Sequence, residues 1–213
     1  MKFWIVLLSL SLLLHSGDAL QKAKTAYDSG QYLKAKNILK KSAHSGNVHA
    51  QVELGLMYYT GEIIPQKYDK AFYWFEKAAN KNDAQSQYNL GNMYEHGTGV
   101  KQDYEKALEY YESSASNGYV DAQYNVATFY YDGKYTKQDY KKAVFWYTEA
   151  AKNGDSNAQY NLGVMYVKAE GVKRNKIIAF EYWLAAAKGS NSEAEDSLDI
   201  LCKESPWACN NRD

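Results

Sequence analysis

Residues 158–166 read AQYNLGVMY, and similar stretches occur earlier in the chain at a fixed step of 36 residues. In each stretch a leucine or valine is followed by a glycine or alanine. The matching pairs are Leu54-Gly55, Leu90-Gly91, Val126-Ala127 and Leu162-Gly163. A period of this length is typical of proteins built from repeated units, each of which buries its apolar face against its neighbours.

A second group of residues keeps the same step in the other half of each unit. It begins with an alanine, at Ala35, Ala71, Ala107, Ala143 and Ala179. An aromatic pair follows, as Trp74-Phe75, Tyr110-Tyr111, Trp146-Tyr147 and Tyr182-Trp183. Both halves place apolar residues three and four positions apart, which is the spacing of one face of an α-helix. Each unit is therefore predicted to form two helices.

Residues that begin and end helices also recur in phase. Side chains suited to an N-cap precede the first helices at Asn47, Asp83, Asp155 and Asn191, and the second helices at Asp103, Asp139 and Asn175. Glycines suited to a helix end follow the first helices at Gly61, Gly97 and Gly133, and the second helices at Gly118 and Gly154. Tyr119 interrupts the first series, so the start of that helix is less well marked.

The alternation of small and large residues predicts how the helices pack. We expect the glycine or alanine of the first helix to let the backbone of the second helix come close. The aromatic pair of the second helix is expected to fill the space between neighbouring hairpins. On this interpretation Trp146→Ala should destabilise the protein by about 3 to 5 kcal/mol, as truncation of a large core aromatic does.

The N-terminus has the features of a signal peptide. Lys2 supplies a positive charge, residues 3–14 are almost entirely apolar, and Gly17 and Ala19 are the small residues of a cleavage site. The apolar run is too short for a permanent transmembrane helix. We expect cleavage after Ala19, export to a bacterial periplasm or the medium, and no stable membrane insertion afterwards.

The two cysteines lie close to the C-terminus. On one continuous helix Cys202 and Cys209 would be about 10 Å apart along the axis, too far for a disulfide. Pro206 should end the helix and turn the tail back. A disulfide then fits an oxidising compartment better than a zinc site, because no histidine lies near the pair.

Composition and motifs give no sign of catalysis. The 25 basic residues balance the 25 acidic ones, so no overall positive field would attract nucleic acid. Gly97-Thr98-Gly99 lacks the lysine of a phosphate-binding loop and is interpreted as a hairpin loop. The histidines after the signal segment, His44, His49 and His96, have no metal-site spacing. We expect no catalytic residues, no cofactor and no bound metal.

Several segments carry a family resemblance. The stretch at 158–166, and Gly97-Thr98-Gly99-Val100 followed by residues 103–107, resemble Sel1-like repeats, which are relatives of tetratricopeptide repeats. The resemblance implies an all-α fold, a right-handed α-solenoid of stacked antiparallel helix hairpins with a 36-residue period. The expected organisation is a signal peptide at 1–19, a tetratricopeptide-like hairpin at 20–46, four repeats at 47–190, and a capping helix with a disulfide-closed tail at 191–213.

The resemblance also implies where a partner would bind. In tetratricopeptide-like arrays the first helices line a concave face, and their non-core positions contact other proteins. Tyrosine suits such contacts because it combines a large apolar area with a hydroxyl. Tyr88, Tyr124 and Tyr160 recur in phase, so packing between helices is an equally good interpretation for them. The candidate partner-binding residues are Leu56, Tyr59, Tyr88, Asn92, Glu95, His96, Tyr124, Thr128, Tyr131, Asp132 and Lys168.

The leading functional hypothesis is an exported protein-binding module, present as a monomer or weak oligomer. Small exported Sel1-like proteins include immunity proteins that neutralise secreted antibacterial effectors, among them phospholipases, so the resemblance implies a stoichiometric inhibitor. An adaptor or chaperone of the cell envelope is an alternative. A cell-wall or β-lactam hydrolase is claimed for cysteine-rich relatives, but the repeats here lack their disulfides. Recognition of a glycan by the tyrosines is a further alternative.

Overall fold

The computed structural model describes residues 18–209. Most of the predicted signal peptide, residues 1–17, lies outside the described residues. Within the described range the chain is α-helical with one short 3-10 helix and no β-strand. None of these helices is long and apolar enough to cross a membrane. The helices are α1 (Asp18–Asp28), α2 (Tyr32–His44), α3 (Val48–Thr60), α4 (Tyr68–Ala79), α5 (Ala84–His96), α6 (Tyr104–Ser116), α7 (Val120–Asp132), α8 (Tyr140–Lys152), α9 (Ser156–Lys168), α10 (Lys176–Lys188) and α11 (Ser192–Glu204).

The helices pair into hairpins, α1 with α2 and so on to α9 with α10, and α11 follows alone. The chain divides into two compact units, of which one ends at Asn117 and the other begins at Gly118. In the first unit α3 packs on α2 and α5 packs on α4. In the second unit α9 packs on α8 and α11 packs on α10. The predicted all-α fold of paired helical hairpins is confirmed.

Most of the predicted helix ends are confirmed. For example, the Asp83 carboxylate accepts a hydrogen bond of 2.7 Å from the backbone N–H of Ser86, and Asp139 accepts one of 3.0 Å from Lys142. Tyr119 makes no such side-chain bond at the start of α7. The glycines that end α3, α5 and α7 adopt a left-handed backbone that residues with a Cβ disfavour. They are Gly61, Gly97 and Gly133.

The close approach within a hairpin differs from the prediction. A Cβ added at Gly55 would lie 2.6 Å from the Phe75 ring, and one at Gly91 would lie 2.6 Å from the Tyr111 ring. One at Gly163 would overlap the Trp183 indole. It is therefore the aromatic ring of the second helix that needs the space of the glycine. The expectation that the neighbouring backbone takes this space was wrong.

The two members of each aromatic pair have different surroundings. The second member is buried in every hairpin; Tyr147, for example, is 2% exposed. The first member is buried only at Trp74; the other three, Tyr110, Trp146 and Tyr182, are half-buried. Tyr110 stacks on Tyr94 at a ring separation of 5.7 Å. The expectation that Trp146 is a core residue was wrong, because its neighbour Tyr147 takes that place.

Glutamines at one repeat position join successive hairpins. Gln51 Nε2 donates to the Ala43 carbonyl at 3.0 Å, and Gln159 Nε2 donates to the Ala151 carbonyl at 3.2 Å. Each carbonyl belongs to the last turn of a second helix and also accepts the backbone N–H of the glycine that follows, Gly46 or Gly154. The role of these glutamines was not predicted, although the glutamine recurs at the same 36-residue step.

The C-terminal tail turns back as predicted. Helix α11 ends at Glu204, and a 3-10 helix covers Pro206–Cys209. Cys202 and Cys209 form a disulfide with their Cα atoms 5.6 Å apart. The predicted disulfide is confirmed within the described residues.

Candidate functional site

The candidate partner-binding residues fall into two sets, one in each compact unit. We call Tyr59, Tyr88, Asn92, Glu95 and His96 the first-helix surface of unit 1; they lie on α3 and α5. The first-helix surface of unit 2 lies on α7 and α9, and it comprises Tyr124, Thr128, Tyr131, Asp132 and Lys168. All of these side chains are half-buried or exposed.

Leu56 does not belong to either surface. It is only 6% exposed and lies in one hydrophobic cluster with Val52 of α3 and with Leu20 and Ala23 of α1. The N-terminal hairpin supplies the apolar side chains that pack around it. Leu56 is therefore a core residue, and its assignment to a partner-binding face is corrected.

Tyr59 is held by two aromatic neighbours. Its ring meets Tyr68 edge-on at 5.5 Å and lies 6.2 Å from the Phe75 ring. Burial raises the pKa of Tyr59, and the neighbouring Tyr68 and Tyr88 add to this effect. Its ring is thus fixed by packing while part of it reaches the surface, so a partner would meet a side chain that has already lost its freedom.

The α5 residues are fixed by hydrogen bonds. Asn92 Nδ2 donates to the Tyr88 carbonyl at 3.3 Å, and His96 Nδ1 lies 3.0 Å from the Asn92 carbonyl. The Glu95 carboxylate accepts a 2.6 Å bond from the hydroxyl of buried Tyr111. The Tyr88 ring leans on that same Tyr111 at 5.7 Å. Tyr88 and Glu95 therefore have structural contacts in addition to their exposed parts.

A polar cluster lies beneath the first-helix surface of unit 2. The hydroxyl of buried Tyr147 is 3.0 Å from Thr128 Oγ1, and it also hydrogen-bonds Asn161 of the next hairpin. Burial raises the pKa of Tyr147 well above its usual range. The Tyr124 ring lies 5.6 Å from the Tyr147 ring. This cluster connects α7, α8 and α9.

Tyr131 has a contact that the sequence analysis did not predict. Its hydroxyl donates a 2.9 Å hydrogen bond to Glu170, in the loop after α9. Burial, the hydrogen bond and the charge of Glu170 together raise the pKa of Tyr131 to about 12. The residue pair is 39 positions apart, so it falls outside the 36-residue alignment that guided the sequence analysis. Asp132 and Lys168, by contrast, are exposed.

Four buried side-chain atoms lack a hydrogen-bond partner among the described residues, and one of them belongs to an asparagine that recurs in the repeats. Asn89 Nδ2 is buried and makes no hydrogen bond. Asn161 occupies the same position two repeats later and reaches the hydroxyl of Tyr147. The residue in the place of Tyr147 is Phe75, which has no hydroxyl. The exchange of tyrosine for phenylalanine thus explains the unpaired amide.

The surfaces are suited to binding by shape and hydrogen bonds. They offer tyrosine rings, an amide, a carboxylate and an imidazole, several of them already oriented by neighbours. No group of three or more metal-ligating side chains comes together within residues 18–209.

A comparison with protein-family models matches the Sel1 repeat to residues 48–83, 84–119, 120–155 and 156–191. The chain belongs to the Sel1 repeat family. The Sel1 repeats start at the beginning of α3, α5, α7 and α9, so each repeat is one hairpin with its following loop. Sel1 repeats form a fold that mediates protein–protein interaction.

Solved Sel1 proteins share this architecture. A protective antigen of uropathogenic Escherichia coli with an SLR fold is 32% identical with a TM-score of 0.77; the match covers 79% of this chain and 36% of that protein. This chain thus spans little more than a third of the antigen's length. A Sel1 repeat protein from Oxalobacter formigenes is 31% identical with a TM-score of 0.75, and the match covers 84% of this chain and 73% of that protein.

More distant structures share the fold alone. An immunity protein from Pseudomonas aeruginosa is 19% identical with a TM-score of 0.50, and the match covers 87% of this chain and 71% of that protein. No curated protein matches the chain.

Proposed function

We propose that this Sel1 repeat protein is exported and binds one protein partner through its first-helix surfaces, without catalysing a reaction. The observation that carries the proposal is the set of half-buried tyrosines fixed by packing, above all Tyr59 and Tyr131. Aromatic side chains that are rigid before binding lose little entropy in a complex, so they make good anchors. The signal-like segment at residues 1–19 and the disulfide support export.

The partner class that we propose is a secreted antibacterial effector, with this chain as its stoichiometric inhibitor. Support comes from the existence of an immunity protein with this fold. The residues that differ between repeats, such as Asn92 and Thr128 at one position or Glu95 and Tyr131 at another, provide a surface that can select a single partner.

The experiment begins with the purified chain, which is used to capture partners from the periplasm of its source. After mass spectrometry, the strongest candidate is purified and its affinity measured. We expect Tyr59→Ala or Tyr131→Ala to weaken binding about thirtyfold, because an aromatic anchor in an interface contributes about 2 kcal/mol or more. Tyr73→Ala is the matched control, since Tyr73 is 46% exposed but lies on a second helix.

A change at Tyr59 or Tyr131 also removes internal contacts, so exposed residues provide a second test. His96→Glu and Asp132→Lys alter each surface without removing a packed side chain, and each variant is compared with the wild type in melting temperature. Binding that is unchanged in all four surface variants would place the site elsewhere. An effector whose activity is unaffected by an equimolar amount of the bound chain would contradict the inhibitor role and favour an adaptor.

A further inference from the structure

The N-terminal hairpin has an open groove that no residue of the proposed binding surfaces lines. It lies between α1 and α2 and has a volume of about 390 Å³. Ala26 and Ile38 form its apolar part, and Lys22 and Lys34 lie along it. Leu33, beside Lys34, is 67% exposed. The hairpin therefore leaves an open groove in which two apolar side chains lie among polar and basic ones.

This hairpin is the most basic part of the described chain. Residues 19–46 contain six lysines, at positions 22, 24, 34, 36, 40 and 41, and a single acidic residue, Asp28. This local excess of positive charge does not show in the net charge of the whole chain, because basic and acidic residues number 25 each. An occupant of the groove must therefore be acidic and must also offer an apolar side chain.

Helix α11 has both properties. It buries Ala194, Leu198 and Leu201 against its own hairpin. Residues 192–204 hold five acidic side chains and one lysine. Asp196, Asp199 and Ile200 are three and four positions apart and all exposed, so they share one face of the helix. Ile200 is 57% exposed, so the face that carries the two aspartates also offers a large apolar side chain.

We propose that α11 of one copy docks into the α1–α2 groove of a second copy, with Ile200 against Ala26 and Ile38. Asp196 and Asp199 then lie beside Lys22 and Lys34. Packing of a helix on a neighbouring hairpin also occurs within the chain. Helix α3 packs on α2 of the N-terminal hairpin, and α11 packs on α10. The two surfaces are different, so the contact is heterologous, and in a pair one copy keeps a free groove while the other keeps a free α11. Association therefore continues with rising concentration instead of stopping at a dimer.

The charges make this association sensitive to salt. Exposed ion pairs are screened at distances beyond about 8 Å at physiological ionic strength, and the screening becomes stronger as salt is added. We expect the average mass of the purified chain, measured by analytical ultracentrifugation, to rise with protein concentration in low salt and to fall towards the monomer in high salt.

A charge exchange tests which surfaces meet. The groove variant combines Lys22→Glu with Lys34→Glu, and the helix variant combines Asp196→Lys with Asp199→Lys. In either variant alone the groove and α11 carry like charges, so self-association should weaken roughly tenfold or more. An equimolar mixture of the two variants restores opposite charges, and the average mass should rise again. Lys137→Glu with Lys173→Glu is the control, since it changes the net charge equally at exposed positions outside both surfaces.

The outcomes separate the proposal from its rivals. Recovery of association in the mixture, with both variants folded by circular dichroism, supports docking of α11 into the groove. A wild type that stays monomeric at every concentration and salt would overturn it, as would a mixture that stays monomeric. Binding of the wild type to anionic lipid vesicles, lost in the groove variant and without self-association, would assign the lysines to a membrane surface and overturn the proposal as well.

Discussion

The α3–α4 hairpin of unit 1 and the α7–α8 hairpin of unit 2 each pair a small residue on the first helix with a buried aromatic ring on the second, but the residues differ. In the first, Gly55 faces the ring of Phe75, and the residue after the glycine is the buried Leu56. In the second, alanine and threonine occupy those two positions, and the ring belongs to Tyr147, whose hydroxyl contacts Thr128.

The comparison separates the features that the repeat pattern determines from those that it does not determine. The period places an aromatic ring against a small residue in both hairpins, because the spacing of the helices demands it. Whether the end of that ring is apolar or hydrogen-bonded depends on residues of other helices. In unit 2 Asn161 hydrogen-bonds Tyr147, whereas in unit 1 Phe75 holds the place of Tyr147 and the amide nitrogen of Asn89 has no partner.

The largest effect is expected from removing the buried ring. Tyr147→Ala should lower the free energy of unfolding by about 3 to 5 kcal/mol, since it leaves a cavity and also removes the hydroxyl that Thr128 contacts. Trp146→Ala, one position earlier, is the control. It should cost only about 1 to 2 kcal/mol because the indole is half-buried and part of its area stays in water. Urea denaturation measures both; equal losses would show that the two side chains are not distinguished by burial.

Replacing the buried tyrosine by phenylalanine in one hairpin, and the buried phenylalanine by tyrosine in the other, should change the stability less. The two changes should have opposite signs. Tyr147→Phe should destabilise by about 1 to 2 kcal/mol, because it removes the hydrogen bonds that the buried hydroxyl shares with Thr128 and Asn161. Phe75→Tyr should stabilise by about 0.5 to 1.5 kcal/mol if the new hydroxyl accepts a bond from Asn89 Nδ2. The melting temperatures of the two variants are the measurement. A Phe75→Tyr variant that melts below the wild type would mean that the hairpin has no room for the hydroxyl.

The smallest effect concerns the titration of Tyr131. Its pKa is raised from 10.0 to about 12, so between these values the unfolded chain loses this proton before the folded chain does. The contribution of Tyr131 to stability is therefore complete below pH 10 and is lost as the pH rises towards 12. Glu170→Gln should move the pKa back towards 10, because it removes the negative charge while keeping a hydrogen-bond acceptor.

The measurement for Tyr131 is an ultraviolet titration of tyrosinate, with Tyr131→Phe subtracted to isolate one residue. Glu62→Gln is the matched control, since Glu62 holds the same repeat position as Glu170 but lies in the other unit. An unchanged Tyr131 pKa in the Glu170→Gln variant would mean that the charge of Glu170 does not contribute to the shift.

Much of the fold could be predicted from local features of the sequence. Asp83 and Asp139 cap helices because a short carboxylate side chain reaches the free N–H groups of the first turn, and this depends only on neighbouring residues. Leu54 and Leu90 are fully buried, as their recurrence at helical spacing with Met57 and Met93 predicts.

The candidate surfaces were less predictable, for physical reasons that the period does not contain. Leu56 looked like a surface position because Asn92 and Thr128 hold that position in the next two repeats. The N-terminal hairpin, which has a different sequence, buries it. The contact of Tyr131 with Glu170 depends on the path of a loop, and loop geometry is set by several helices at once. The small residue at Gly55 predicts a close approach of the two helices, but which group fills the space, here the ring of Phe75, depends on the packing of both helices.

The packing within a hairpin depends on one steric requirement: the small residue of the first helix leaves the space that the aromatic ring of the second helix fills. A double-mutant cycle with Gly55→Ala and Phe75→Leu tests it most directly. The account predicts that Gly55→Ala costs about 1 to 3 kcal/mol in the wild type, where the new methyl meets the ring, and less than about 0.5 kcal/mol when leucine replaces Phe75. The same loss in both backgrounds would contradict the account, because the glycine would then be needed for some reason other than the ring.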